Sequence, residues 1–148
     1  FLSSVNAEME VGDHLLLGVQ FVTEVDRLEA AYNDSAGITA EFTKNIIPVM
    51  QEMVGANFDP GAFDHVARYN TDNSRIEIFL RSNKHQTVTL PDIDLTLPLK
   101  EGEEIRTEIS TKYDRKRTES LLANAGFERV EWYADPEDLL GLALAKKP

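Results

Sequence analysis

Two short stretches of this sequence carry side chains whose types and spacing suit the binding of a small polar molecule. In EEIRTEISTKY (103–113) polar and apolar residues alternate with the period of two that marks a half-buried strand. Ile105, Thr107, Ile109, Thr111 and Tyr113 are expected on one face, and Arg106, Glu108, Ser110 and Lys112 on the other. Glu108 and Ser110 then sit on one face, roughly 7 Å apart by strand rise. A carboxylate can accept one N–H while a hydroxyl donates to, or accepts from, a second nitrogen, so the pair suits an imidazole. It equally suits a solvated strand face on which Glu108 pairs with a basic neighbour across the sheet.

The second stretch is YNDSAGITAEF (32–42). Tyr32 precedes a loop containing Gly37, and Thr39 opens the next helix. A phenol, a helix N-terminus and a hydroxyl together suit a carboxylate. The plainer reading packs the Tyr32 ring and leaves Thr39 as a cap. Elsewhere the chemistry is sparse. His14, His65 and His85 fall on different elements without metal-ligand spacing, and read as surface or partly buried imidazoles. Asp92, Asp94, Glu101, Glu103 and Glu104 lack the spacing of a calcium loop and read as solvated turns. No GxGxxG, P-loop, HExxH or GxSxG motif occurs.

Composition narrows the class. A chain of 148 residues with 42% hydrophobic and 28% charged residues suits an ordinary globular domain. Net charge of −11 argues against non-specific nucleic-acid binding, which requires basic surface. The dense basic cluster KYDRKR (112–117) reads as an exposed helix start. Zero cysteines excludes disulfides and thiolate metal sites and fits a cytoplasmic protein. No apolar run is long enough to span a membrane, and FLSSVNAEME lacks the basic and apolar regions of a secretory signal.

The elements that must position these residues follow from periodicity. FLSS (1–4) reads as the end of a strand, and DHLLLGVQFVT (13–23) as a strand buried on both faces of a parallel sheet. DRLEAAYN (26–33) has helical spacing with Asp26 as cap. A second helix is expected within 34–55, capped by Thr39, kinked or broken at Pro48 and stopped by Gly55. A turn at Asp59-Pro60-Gly61 leads to strands at 65–70, 74–82, 85–90, 93–99 and 103–111, read as one antiparallel meander. A helix over 114–126 follows, with Leu121, Leu122 and Ala125 inward, and then two strands at 127–135 and 139–147. This order suits an α/β sheet interrupted by an α+β insertion.

LLLGVQFV (15–22), RLEAAYNDSAGITAEFTKNII (27–47), FDPGAFDHVARYN (58–70), IEIFLRS (76–82) and GEEIRTEISTKY (102–113) resemble the C-terminal half of one family. It is that of the S-adenosylmethionine-dependent, histidine-specific Nα-methyltransferases, which make trimethylhistidine (hercynine) on the route to ergothioneine. The resemblance covers nearly the whole chain in one order. It implies part of a Rossmann-like methyltransferase sheet, at 1–22 and 113–148, carrying an inserted α+β substrate-binding domain at 23–112. It further implies that Glu108 and Ser110 hold the substrate imidazole and that Tyr32 contacts the substrate's carboxylate end. Thr39 would lie near the ring, and Ile78 would line the same pocket. The implied substrate is L-histidine with its methylated forms, with no nucleic-acid or membrane partner. The implied cofactor is S-adenosylmethionine, whose glycine-rich loop belongs to the family's first half and is not matched here. The family's asparagine after its FL-S strand is likewise unmatched, since FLSSV runs almost directly into NAEMEVGD and Asn6 does not align with it. The chain is therefore expected to be a fragment, or a homologue with a shortened segment, that is inactive alone. The alternatives are a non-catalytic binding module, or a methyltransferase for another amino acid.

Overall fold

A computed structural model describes residues 1–148. The chain is mixed α/β with small antiparallel sheets, and it divides into two compact units, Phe1–Glu24 with Thr111–Pro148, and Val25–Ser110.

In the first unit, helix α1 (Leu2–Glu8) precedes strand β1 (His14–Gln20), and helix α5 (Arg115–Asn124) precedes strands β7 (Glu128–Ala134) and β8 (Leu140–Lys146). The sheet order is β1-β8-β7, antiparallel throughout. FLSS is thus helical and not the end of a strand. Leu2, Val5 and Met9 recur at helical spacing and pack on the buried cluster of Leu122, Phe127, Ala143 and Ala145. β1 also departs from expectation, since it pairs antiparallel with β8 and buries one face only. Leu15 and Leu17 join the core, whereas Leu16 on the other face is 58% exposed. Leu140 and Leu142 on β8 are exposed as well, and the register sets them opposite Gln20 and Gly18 on the same face as Leu16.

Asp114 caps α5 by accepting the Arg117 amide at 2.6 Å. Leu122 is fully buried, but Leu121, expected inward, turns toward solvent because adjacent helical positions lie about 100° apart. After α5 the chain re-enters β7 past Gly126, whose φ of 84° a side chain would resist. Trp132 stacks on Phe21 with ring centroids 5.8 Å apart. Gly141 lies directly under this stack, where a Cβ would come within 2.5 Å of Phe21 and 2.6 Å of Trp132.

In the second unit, helices α2 (Val25–Tyr32), α3 (Ile38–Lys44) and α4 (Ile46–Val54) precede five strands. These are β2 (Phe63–Asn70), β3 (Arg75–Ser82), β4 (Gln86–Leu90), β5 (Leu95–Leu99) and β6 (Glu104–Thr111). They do not form one meander. β2-β3-β6 is a three-stranded sheet, and β4 and β5 pair as a separate two-stranded excursion. Val88, Leu90 and Leu99 explain the departure, because they join Ile47, Phe63 and Leu80 in one core and so draw the excursion onto α4. The segment read as one helix over 34–55 is two, broken at Asn45, with Pro48 falling in the first turn of α4 where a missing N–H is tolerated. Gly55 ends α4 in the left-handed conformation, φ 63°.

Both sides of the β2-β3-β6 sheet are covered by their own chemistry. Leu28 of α2 packs on Ala67, Ile76 and Ile78. Ion pairs tie the strands together elsewhere, Arg68 with Glu104 at 2.6 Å and Arg106 with Glu77, while Arg75 pairs with Glu77 along β3. Arg68 also lies 4.1 Å over the Phe79 ring. Hydrogen bonds from Arg68 hold the Glu104 carboxyl below the ordinary range, and those from Arg75 do the same for Glu77.

Candidate functional site

The Tyr32 and Ser110 side chains, 78 residues apart in sequence, meet with the phenol oxygen 2.9 Å from Ser110 Oγ. The geometry follows from α2. Leu28 and Tyr32 are separated by four residues and so share one helix face, and both pack on the cluster containing Ile78. Ile78 lies beneath Tyr32 and is 2% exposed. Tyr32, Ile78 and Ser110 therefore converge on one place, the end of α2 against the β2-β3-β6 sheet.

Glu108 is exposed. It lines an open cleft of about 220 Å³ with Thr107 and with Phe42, Thr43, Asn45, Ile46 and Val49 from α3 and α4. Neither Tyr32 nor Ser110 lines this cleft. Thr107 and Glu108 both border this cleft. The Thr107 hydroxyl donates to the Ile78 carbonyl at 3.2 Å, whereas the Glu108 carboxylate has no hydrogen bond or ion pair within the chain. Thr107 and Ile46 also border an apolar cavity of about 250 Å³ behind the cleft, lined by Met50, Leu80 and Ile105 among others.

Thr39 does not open its helix as the cap. Gly37 holds that position with φ 72°, and Asp34 takes the capping hydrogen bonds, accepting from the Ile38 amide at 2.9 Å and the Thr39 amide at 2.8 Å. The Thr39 hydroxyl also bonds Asp34, and this bond is the largest influence holding the Asp34 carboxyl down to about 2. The Thr39 carbonyl accepts from the Thr43 hydroxyl at 2.9 Å, which links the loop to the wall opposite Glu108.

Three residues without a sequence-assigned role hold the end of α2 to β2. His65 Nε2–H donates to the Tyr32 carbonyl at 2.8 Å. Asn33 donates from Nδ2 to the Ala67 carbonyl at 2.9 Å, and its Oδ1 accepts the Ala67 amide at 3.2 Å. Glu29 accepts the Tyr69 amide at 2.8 Å. The one signal in the sequence was the four-residue spacing of Glu29 and Asn33, which puts both on one side of α2.

No group of His, Asp and Glu side chains is arranged to hold a metal ion. The chain's positive-φ glycines, at 12, 37, 55, 102 and 126, occupy turns and helix ends. None forms the strand–glycine turn–helix junction that cradles a nucleotide-like cofactor, so these residues by themselves do not fit S-adenosylmethionine.

Comparison with known proteins bears on the whole chain. Residues 1–147 match the family described as histidine-specific methyltransferase, SAM-dependent. The chain is 41% identical over 145 residues to the histidine N-alpha-methyltransferase of Mycolicibacterium smegmatis, covering 98% of this chain and 45% of that protein. It is 41% identical over 147 residues to the protein of that name from Mycobacterium tuberculosis, covering 99% of this chain and 46% of the relative. Ergothioneine biosynthesis protein 1 of Neurospora crassa is 29% identical over 137 residues, 15% of its own length. The chain thus spans less than half the length of these curated relatives.

Proposed function

The chain belongs to the histidine-specific, SAM-dependent methyltransferase family, and on that premise we propose that it is the C-terminal, substrate-binding part of an enzyme that methylates the α-amine of L-histidine to trimethylhistidine in ergothioneine biosynthesis. In this reading Phe1–Glu24 with Thr111–Pro148 belongs to a Rossmann-like methyltransferase sheet, and Val25–Ser110 is the inserted substrate-binding domain. The exposed leucine face of β1 and β8 supports the first assignment, because a strand as apolar as HLLLGVQ needs cover on both sides. S-adenosylmethionine supplies the methyl group and is held mostly by residues outside this chain.

The observation that carries the reading is the Tyr32–Ser110 hydrogen bond, which joins the two stretches the sequence singled out for substrate. Tyr32 is positioned to donate to the substrate carboxylate, and Ser110 to meet one imidazole nitrogen. The unpaired Glu108 carboxylate accepts the N–H of the other, and Thr39 and Ile78 complete the surroundings. Methylation asks little acid–base chemistry of these groups. A neutral amine has to be held in line with the methyl donor, so the residues here work by orientation. Glu108 selects imidazole because a ligand without an N–H leaves the carboxylate desolvated and unpaired.

The test is Glu108→Ala in the full-length protein, followed by calorimetry. Loss of a charged hydrogen bond is worth about 1.5–3 kcal/mol, so histidine affinity should fall roughly 10- to 150-fold while cofactor affinity holds. Unchanged histidine affinity would overturn the assignment. Scoring methyl acceptance across a panel of amino acids in the same preparation separates histidine from other acceptors.

A further inference from the structure

The free edge of β2 is closed by the side chains of one helix, and the Tyr32 phenol lies at the end of that closure. β2 is an outer strand of its sheet. An outer strand presents backbone N–H and C=O groups that another strand would otherwise take up. Here the Tyr69 amide goes to Glu29 Oε1, and the Ala67 amide and carbonyl both go to the Asn33 side chain. The Asn33 amide group thereby copies the donor–acceptor pair of a neighbouring strand. Asn33 is itself tied to α2, since its backbone N–H and its Nδ2 both donate to the Glu29 carbonyl at 2.9 Å. Two positions along the strand from Ala67, His65 reaches in the opposite sense, donating Nε2–H to the Tyr32 carbonyl. Residues 65, 67 and 69 of β2 therefore each grip the last turn of α2, on either side of Tyr32.

His65 adds a second, independent observation. A carbonyl only accepts, so Nε2 carries the proton and Nδ1 is left as an acceptor. Nδ1 is buried and has no hydrogen-bond partner. A buried acceptor without a donor is unfavourable, and a glutamine could reach the same carbonyl through a flexible amide. The imidazole instead supplies a rigid ring that sets the Tyr32 backbone at one height above the sheet.

We propose that His65 and Asn33 are positioning residues for substrate binding: they fix the backbone at the end of α2 so that the Tyr32 phenol arrives at Ser110. The proposal rests on the reading that Tyr32 contacts the amino-acid substrate, and it adds two residues that touch no substrate themselves. Their effect passes through Tyr32 alone.

A double-mutant cycle on the full-length protein tests this, with steady-state kinetics in both substrates and a melting temperature for every variant. His65→Phe removes the Nε2 donor and is expected to raise KM for histidine by about tenfold, the size of one lost hydrogen bond. Both kcat and KM for S-adenosylmethionine should stay within about twofold. His65→Gln, which keeps an N–H at the Nε2 position on a more flexible side chain, should recover part of the loss. In a Tyr32→Phe background His65→Phe should add nothing further. If His65→Phe does not fold, Asn33→Ala enters the same cycle with the same expectation. Multiplicative effects of the two substitutions, an equal rise in the cofactor KM, or no change on His65→Phe would overturn the positioning role. If Tyr32→Phe itself leaves KM for histidine unchanged, the substrate assignment of Tyr32 fails and the positioning role falls with it. A strong Tyr32→Phe effect beside a silent His65→Phe overturns the positioning role only.

Discussion

At Asp34, two backbone amides and the Thr39 hydroxyl converge on one carboxylate and hold its pKa near 2. Folding is therefore linked to pH through this group with a definite sign. The folded value lies below the ordinary 3.8, so the stabilisation is fully present above pH 3.8 and is lost as pH falls toward 2. Asp34→Ala is expected to lower the melting temperature at pH 5, and the gap from wild type should close between pH 4 and roughly pH 2. A gap that stays constant over that range would mean that the charge plays no part. At this scale the sequence was informative about residue types and less so about partners. Thr39 was legible as part of a helix start, but the capping oxygen belongs to Asp34, because the left-handed Gly37 turns the loop back over that carboxylate. Glu108 and Ser110 were legible as a pair on spacing alone. Ser110 meets Tyr32 and Glu108 borders the α3–α4 cleft, neighbours that strand periodicity does not name.

Among elements, the β3–β6 pairing shows what local pattern leaves open. Five strand-like runs with turns between them suit a meander, and hydrophobic alternation alone does not say which two runs are neighbours. The Phe63 core makes the choice. Phe63 is fully buried, with its ring 5.6 Å from that of Phe58, and around it gather Ile47, Leu80, Val88 and Leu99 from four separate elements. Phe63→Ala is expected to cost about 3–5 kcal/mol, read as a shift in the denaturant midpoint at constant slope. The Phe21–Trp132 stack makes a sharper demand, since the backbone of β8 must pass beneath it without a side chain. Gly141→Ala should force the rings apart and change the near-ultraviolet circular dichroism of Trp132, the single tryptophan of the chain. An unaltered spectrum would show that the rings tolerate a methyl group there. No feature of FERVEWYAD or LLGLALAKK announces this requirement, because the two aromatic rings reach Gly141 from β7 and from the segment after β1.

For the whole molecule, the outward face of β1 and β8 carries exposed leucines. Leu16 is 58% exposed and Leu142 42% exposed, on strands whose other face packs on the core. If the remainder of a methyltransferase sheet and its helices cover them, Leu16→Lys with Leu142→Lys should destabilise the full-length protein by at least about 2 kcal/mol, because the ammonium groups would be buried unpaired. The isolated chain should tolerate the same pair and aggregate less, and equal tolerance in both settings would mean that this face is solvated. The amino-acid sequence by itself determined the element types nearly throughout, the helical spacing of α2 and the family. These follow from periodicity and local side-chain chemistry, which are properties of neighbours in the chain. Tertiary structure alone decided that FLSS is helical, that β4–β5 leaves the sheet, and that Tyr32 meets Ser110 while His65 and Asn33 grip the end of α2. Each of those outcomes depends on contacts between residues about thirty or more positions apart, and their free energy appears only when the chain closes those distances.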